Sequence, residues 1–352
     1  MSIRITEFGT LENGQKADLI TLTNRKGLRA SFTNFGGSWV SMEVPDRQGK
    51  LADVVWGFSD ISGYAGKHPH FGAIVGRVAN RVDGGRFVLH GKTYQMAVNK
   101  GSVALHSGPD YWEKRFWAYS TFEDEASDMV TFQLNSPDGD QGFPGEARVL
   151  VSYVLSDDNA LTISYSFVSD QDTPVNLTHH AYFNLAGQDS RSILDQEVWI
   201  DADAFLPCDE KAIPTGEIRP VEGTPMDFRS FHAIGERIGE DYDALAQGKG
   251  YDHNYVLNHY TRQNRLAAKA RDPKSGRVME VYTDLPGMQL YTGNFLEGNS
   301  RGKGGNSYPC RSAFCFETQF FPNALNTPSF EQPVAKGLEE FLTETTYKFL
   351  TE

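Results

Sequence analysis

Cysteine is scarce in this sequence, and its scarcity argues against a disulfide framework. Cys208, Cys310 and Cys315 are the three cysteines among 352 residues, and they form no Cys-x-x-Cys pair. An odd, unpaired set is typical of a reducing compartment. The amino terminus lacks the apolar core of a signal peptide, and no apolar run is long enough to span a bilayer. We therefore expect a cytoplasmic protein with no membrane partner.

Basic residues are also in deficit. The chain has 33 Lys and Arg against 46 Asp and Glu, which gives a formal net charge of −13. Because a phosphate backbone requires a basic face, we expect no nucleic-acid partner. An acidic surface suits a protein that acts on a neutral small molecule. The 23 Phe, 15 Tyr and 5 Trp are sufficient for a large core.

Helical periodicity is thin, whereas strand patterns recur along the whole chain. The best helix candidate covers residues 231–246. Apolar and polar side chains alternate in residues 149–155 and again in residues 161–167, which predicts two strands joined by a turn. The pattern of residues 87–94 predicts a tight hairpin with its turn at His90-Gly91. Because no composition break interrupts these patterns, we predict one domain over residues 1–352. Its predicted class is all-β, a large and mostly antiparallel β-sandwich.

One carboxylate stands inside an apolar run near the end of the chain. Phe314, Cys315 and Phe316 precede Glu317, and Phe320 and Phe321 follow it closely. A carboxylate removed from water holds its proton more tightly, so Glu317 is a candidate general base. For the motif in isolation, the alternative is a surface Glu at a strand end, between aromatic residues that face the core.

Five further stretches concentrate hydrogen-bonding side chains: residues 71–82 with Asn80 and Arg81, 103–108 with His106, 176–185 with His179 and His180, 250–255 with Asp252 and His253, and 286–295 with Gln289. Each has a structural alternative, such as a turn residue, a surface cation or a core histidine. Adjacent strand residues point to opposite faces, so one histidine of the 179–180 pair at most enters a given site. His68 and His70 share a face, but no nearby Cys or carboxylate in the sequence completes a ligand set, and we expect no metal.

Taken in order, these stretches resemble the site motifs of the galactose mutarotase, or aldose 1-epimerase, family. The matching motifs are Gly-Arg-Val-Ala-Asn80-Arg81, Leu105-His-Ser-Gly, Asn176-Leu-Thr-x-His180-x-Tyr-Phe-Asn-Leu, Gly-Tyr-Asp252-His-Asn, Gln289-x-Tyr-Thr-Gly-Asn and Glu317-Thr-Gln. Residues 139–145 and 347–349 also fit, so the resemblance covers nearly the whole chain. It implies the supersandwich of that family and an enzyme that interconverts the α and β anomers of a free hexose such as galactose or glucose.

The resemblance also implies residue roles: Glu317 as catalytic base, His180 as catalytic acid, His106 beside the ring oxygen, and Asn80, Arg81, Asp252 and Gln289 as binders of sugar hydroxyls. Three positions depart from the family pattern. His179 stands where Asn is frequent, Phe321 where Trp is frequent, and Ser107 where Gly is frequent. These departures bear on the sugar preference, and we expect Phe320 and Phe321 to belong to the hydrophobic wall of the pocket.

The reaction itself requires one base at the C1 hydroxyl and one acid at the ring oxygen, and it requires no cofactor or metal. A Glu and a His provide that complementary pair near neutral pH. Three alternatives remain open: an inverting glycoside hydrolase with Asp252 and Glu317 as its carboxyl pair, a non-catalytic sugar-binding β-sandwich, and an epimerase for a sugar phosphate. The last would need more cations than Arg77 and Arg81, the two in the motifs. Monomer and homodimer are both compatible with the sequence.

Overall fold

Strands dominate the computed structural model, which describes residues 2–124 and 127–352. Among these residues the largest sheet has nine antiparallel strands. In spatial order they are Ala118–Glu123, Ser127–Ser136, Ala147–Ser156, Ala160–Ser169, Glu340–Thr351, Arg277–Thr283, Arg265–Asp272, Glu197–Ile200 and His232–Ala233.

Two five-stranded antiparallel sheets accompany it within the described ranges. The amino-terminal sheet contains Ser2–Thr10, Lys16–Thr23, Arg29–Thr33, Trp39–Pro45 and Leu51–Asp53. The second, here called the site sheet, contains Arg219–Pro220, Ala204–Leu206, Asp252–Val256, Gly287–Tyr291 and Cys315–Gln319 in spatial order. The two-stranded pairs are Arg81–Asp83 with Val103–Leu105, Arg86–Leu89 with Lys92–Gln95, Thr173–Pro174 with Val334–Ala335, Ala73–Val75 with Thr178–His180, and Glu297–Arg301 with Ser307–Pro309.

Helices are short wherever the chain is described. The α-helices are Ile61–Ala65, Ile234–Arg237 and Asp243–Gly248, and the 3-10 helices are Trp112–Lys114, Asp140–Gly142, Lys303–Gly305 and Ala324–Asn326. The prediction of one helix over residues 231–246 is therefore wrong in extent. Gly235 and Gly239 weaken helix propagation, and Tyr242 adopts an extended conformation with φ −137°. The chain consequently forms two separate turns of helix, which bury Ile234 and Leu245.

The strand predictions are confirmed. Residues 149–155 and 161–167 lie in adjacent antiparallel strands, and residues 87–94 form the hairpin Arg86–Leu89 with Lys92–Gln95. The predicted all-β, mostly antiparallel sandwich is likewise confirmed. One buried apolar cluster contains residues from all three large sheets, including Trp39, Tyr153 and Phe316. The extent of the domain over residues 1–352 stays a prediction.

The strand Cys315–Gln319 has two faces of different character. Tyr347 in the nine-stranded sheet donates its hydroxyl to the Phe316 carbonyl oxygen at 3.0 Å, and Thr318 bonds Thr345 at 2.6 Å. Alternate residues of a strand point to opposite faces. Because Phe316 and Thr318 face the core between the sheets, Glu317 faces the other way, towards an open cavity that it helps to line.

In the part of the chain that the structure describes, no helix combines the length and apolarity required to cross a membrane. The cytoplasmic location stays a prediction.

Candidate active site

Strand register assembles the first part of the site. Glu317 pairs with Gln289, and Gln289 pairs with Asn254, so these three side chains form a row across the site sheet. Two residues further along the same strands, a second row on this face contains Cys315, Tyr291 and Asp252. Directly paired residues share a face of an antiparallel sheet. The cavity face of the site sheet is therefore unusually polar for a buried surface.

His180 approaches Glu317 from a neighbouring strand. Thr178–His180 lies beside the site sheet, where the Thr178 hydroxyl donates to the Thr318 carbonyl oxygen at 2.8 Å. His180 Nε2 lies 3.7 Å from Glu317 Oε2, and both residues are buried. His179 points to the opposite face and bonds the Tyr153 hydroxyl at 3.0 Å. The prediction that at most one histidine of this pair enters a given site is thus confirmed.

Asn80, Arg81 and His106 come together through a second strand pair, in which Leu105 stands opposite Arg81. His106 N–H donates to the Asn80 carbonyl at 2.8 Å, and Asn80 N–H donates to His106 Nδ1 at 3.2 Å. An Nδ1 that accepts carries no proton, so in the neutral ring the proton is on Nε2. Asn80 and His106 have positive φ values of 59° and 53°, a conformation that is uncommon for residues other than glycine and occurs often at functional sites.

Arg81, Asp252 and Gln289 form one polar network. Gln289 Nε2 donates to Asp252 Oδ1 at 2.7 Å, and Arg81 Nη2 lies 3.9 Å from Asp252 Oδ2. Among the described residues, Glu317 Oε2, Gln289 Oε1 and Arg81 Nε are buried without a hydrogen-bond partner. Since buried polar atoms are normally bonded, these three atoms suit a polar ligand.

The cavity has a volume of about 940 Å³ and an aromatic wall. Its aromatic lining comprises Phe58, Phe71, Tyr111, Tyr182, Tyr291, Phe295 and Tyr308, together with His68, His70, His106 and His180. Asn80, Arg81, Asp252 and Glu317 also line it, and Gln289 is linked to this group by its hydrogen bond to Asp252. All seven predicted site residues are therefore brought to one place.

The expected contribution of Phe320 and Phe321 to the wall is wrong. Phe320 packs against Phe341, and Phe321 packs against Phe330, away from the cavity. The strand Cys315–Gln319 ends before Phe320 and Phe321, so its alternation of faces does not extend to them. The wall contains instead Tyr182, two positions after His180, and Tyr291, two positions after Gln289 on the strand Gly287–Tyr291. The rings of His180 and Tyr182 are stacked, with their centroids 5.0 Å apart.

Burial dominates the electrostatics of the acid–base candidates. Desolvation raises the pKa of Glu317 well above its ordinary value, the charge of Asp252 raises it further, and Arg81 opposes both. Desolvation lowers the pKa of His180 to about 3, with a further lowering by His70. The pKa of His106 is also held well below its ordinary range, chiefly by burial. Burial therefore favours the neutral forms of both groups, so the proton of this pair is favoured on Glu317 over His180.

Two groups of side chains bear on metal binding. Ligand atoms of His106, His180 and Glu317 lie within 4.8 Å of one another, which is compatible with a divalent cation. His68 is structural, since Phe71 N–H donates to its Nδ1 and its Nε2 bonds the Tyr64 carbonyl. The sequence around His68 and His70 offers no nearby carboxylate, but the fold brings Glu113 beside both histidines. The expected absence of a metal stays a prediction.

Comparison with known proteins identifies the family. The family model described as aldose 1-epimerase matches residues 18–348. The chain belongs to the aldose 1-epimerase family. It is 44% identical to galactose mutarotase from Sus scrofa over 349 residues, which cover 99% of each chain, and 34% identical to aldose 1-epimerase from Escherichia coli K12 over 97% of each.

Solved structures of aldose 1-epimerase relatives agree with the fold. The aldose epimerase homologue from C. elegans has a TM-score of 0.86 at 30% identity, covering 95% of this chain and 99% of the homologue. Galactose 1-epimerase from Lactobacillus acidophilus has a TM-score of 0.87 at 25% identity over 99% of both chains. The sandwich predicted from the family motifs is therefore confirmed across nearly the whole chain.

Several residues of this family member reach the cavity without any signal from the predicted motifs. His70 and Tyr111 line it, and so do the exposed cations Lys67, Lys100 and Arg301. Period-two spacing from His180 and Gln289 would have found Tyr182 and Tyr291, whereas Tyr111 and Lys67 lie outside the strands and show no such pattern. Arg77, in contrast, is buried away from the cavity, where its guanidinium donates hydrogen bonds to the carbonyl oxygens of Pro144 and Gly145.

Proposed function

We propose that this protein is an aldose 1-epimerase that interconverts the α and β anomers of a free hexose such as galactose or glucose. The observation that carries the proposal is the 3.7 Å separation of His180 Nε2 and Glu317 Oε2 at one side of a polar cavity. The C1 hydroxyl and the ring oxygen are both bonded to C1. A base and an acid that act on them must therefore be close together, as this pair is.

In this proposal Glu317 removes the proton of the C1 hydroxyl while His180 protonates the ring oxygen. The C1 to ring-oxygen bond breaks, its electron pair goes to the ring oxygen, and the open-chain aldehyde forms. Rotation about the C1 to C2 bond presents the other carbonyl face, and the two proton transfers then reverse. Each proton returns to its donor, so the cycle requires no cofactor.

The single proton of the pair must be on His180 when the reaction begins. A substrate hydroxyl that donates to the Glu317 carboxylate favours its ionised form, as does Arg81. A ring oxygen that accepts from His180 favours the protonated imidazole in the same way. Sugar binding therefore moves the proton from Glu317 to His180, and each positioned transfer typically contributes about 10²- to 10⁴-fold to the rate.

The remaining predicted residues suit the binding of a polyol. Arg81 and Asp252 give charge-assisted hydrogen bonds, while Asn80 and Gln289 can donate and accept. His106 presents Nε2–H as a donor, since its Nδ1 is occupied by Asn80 N–H. The faces of Tyr182 and Tyr291 provide apolar surface for the C–H groups of the sugar.

Polarimetry of freshly dissolved α-galactose or α-glucose tests this function. We expect the protein to accelerate the change in optical rotation and to release no reducing sugar from a methyl glycoside. Release of reducing sugar would instead identify a glycoside hydrolase. Sugar binding by calorimetry with mutarotation at the water rate would identify a non-catalytic binding protein.

A second candidate, an epimerase for a sugar phosphate, is favoured by the three cations Lys67, Lys100 and Arg301 at the cavity lining. All three are exposed, and long exposed cations give weak, salt-sensitive attraction. Comparison of kcat/KM for glucose and glucose 6-phosphate at 20 and 200 mM salt separates the two candidates. We expect the free hexose to be preferred at both salt concentrations, and a strong preference for the phosphate would favour the second candidate.

A further inference from the structure

A third histidine, His70, completes a triangle of imidazole rings at one side of the cavity. Its ring centroid lies 5.0 Å from that of His106 and 5.7 Å from that of His180, which are 5.3 Å from each other. His70 lines the same cavity as Glu317 and has a side chain that is 16% exposed. It therefore adjoins both of the histidines that the proposed reaction uses.

Glu113 fixes the orientation of this third ring. His70 Nδ1 lies 2.8 Å from Glu113 Oε2, and Glu113 is 3% exposed. Burial raises the pKa of the Glu113 carboxyl, but the charge and hydrogen bond of His70 outweigh it, with smaller contributions from His68 and Lys114, and bring the pKa to about 2. An ionised carboxylate only accepts hydrogen bonds, so His70 Nδ1 is the donor. Nε2 is the ring nitrogen that remains for a ligand.

The backbone is also adapted to this placement. His70 has a φ of 62°, a value that few residues other than glycine adopt. Gly72, two residues later, also has a positive φ, and a Cβ there would approach the Trp39 carbonyl oxygen to 2.0 Å. This tight backbone supports an imidazole that is bonded to a buried carboxylate. A ring held in this way is pre-organised for a ligand at the wall of the cavity.

The chemistry of the sugar indicates what His70 meets. In the proposed function Glu317 contacts the C1 hydroxyl, and His180 contacts the ring oxygen with His106 beside it. The ring oxygen joins C1 to C5, and in a hexopyranose C5 carries the exocyclic hydroxymethyl group. His70 adjoins the two histidines at the ring oxygen, and its carboxylate partner is Glu113 instead of Glu317. We propose that His70, oriented by Glu113, binds the exocyclic hydroxymethyl group and thereby sets a preference for hexoses over pentoses.

This inference rests on the proposed function, and pairs of sugars test it. D-galactose and L-arabinose have the same ring hydroxyl configuration but differ in the exocyclic carbon, as do D-glucose and D-xylose. The readout is the hexose-to-pentose ratio of kcat/KM by polarimetry. His70→Asn is the variant of choice, because Asn tolerates positive φ but is too short to replace the imidazole. We expect its ratio to fall about tenfold or more for both sugar pairs, the usual effect of losing a specific hydrogen bond.

A second variant and a control keep the outcome decisive. Glu113→Gln retains the ring but removes its charged partner, so we expect a smaller fall in the same ratio, and this variant carries the test if His70→Asn does not fold. His90→Asn removes an exposed histidine and should leave the ratio unchanged. Equal losses on hexose and pentose, or an unchanged ratio in both test variants, would overturn the inference. A wild-type protein that accelerates mutarotation of none of the four sugars would overturn the proposed function itself.

Discussion

His179 makes a quantitative prediction about acid stability. It stands in the core, 2% exposed, with Nε2 on the Tyr153 hydroxyl, and among the described residues its Nδ1 has no hydrogen-bond partner. Burial lowers its pKa from 6.5 to about 3. Because the unfolded chain binds a proton at this position below pH 6.5 and the folded chain does not, the free energy of unfolding falls as the pH falls from about 6.5 towards 3.

The size of this effect follows from the two pKa values. Between pH 8 and pH 5, protonation of this imidazole stabilises the unfolded chain by the free-energy equivalent of about 1.5 pH units. It stabilises the folded chain by almost nothing. At about 1.4 kcal/mol per unit, His179 alone costs about 2 kcal/mol of stability over this interval. The result depends little on the folded-state pKa as long as that pKa lies below about 4.

The perturbation is His179→Asn, which removes the titratable group and places an amide beside Tyr153. Equilibrium denaturation in urea at pH 8 and pH 5 gives the loss of unfolding free energy on acidification for each protein. We expect that loss to be about 2 kcal/mol smaller in the variant than in the wild type. His90→Asn, at an exposed position, serves as the control. An equal loss in wild type and His179→Asn would refute the conclusion that this imidazole is neutral in the folded protein.

Two further predictions concern pH and the buried arginine. The plot of kcat/KM against pH should be bell-shaped. On the acid side, activity falls when the pair takes up a second proton, which the His180 pKa of about 3 governs. On the alkaline side, activity falls when the pair loses its proton, which the raised pKa of Glu317 governs. Asp252→Asn should move the alkaline limb to lower pH, and an unmoved limb would contradict the stated cause. Arg77→Lys should lower the free energy of unfolding by about 3 kcal/mol, because an ammonium cannot satisfy the carbonyl oxygens of Ser136, Pro137, Pro144 and Gly145. Denaturation measures this loss, and a change below about 0.5 kcal/mol would be contradictory.

Local patterns predicted the strands well, because period-two alternation reports directly which face of a strand is buried. Residues 161–167 illustrate this, since every apolar position in the alternation is buried. The same rule separated His180 from His179. In residues 231–246 the helical spacing predicts too long a helix, because two glycines and an extended Tyr242 divide the segment.

The site was predictable from motifs but its geometry was not. Side chains that are distant in sequence meet through register and loop closure, as Glu113 meets His70 across 43 positions. No local spacing encodes that contact. Phe320 and Phe321 are close to Glu317 in sequence, but they follow the end of its strand at Gln319 and pack outside the cavity. Tyr182 and Tyr291 contribute to the wall instead.

The most direct test of the central claim is the turnover of Glu317→Gln on α-galactose. Gln retains the shape and the hydrogen-bonding capacity of the side chain but cannot accept the proton of the C1 hydroxyl. Polarimetry at saturating sugar should show kcat reduced by about 10²- to 10⁴-fold, while calorimetry shows that the sugar still binds. A variant that binds galactose and retains the wild-type kcat would contradict the assignment of Glu317 as the catalytic base.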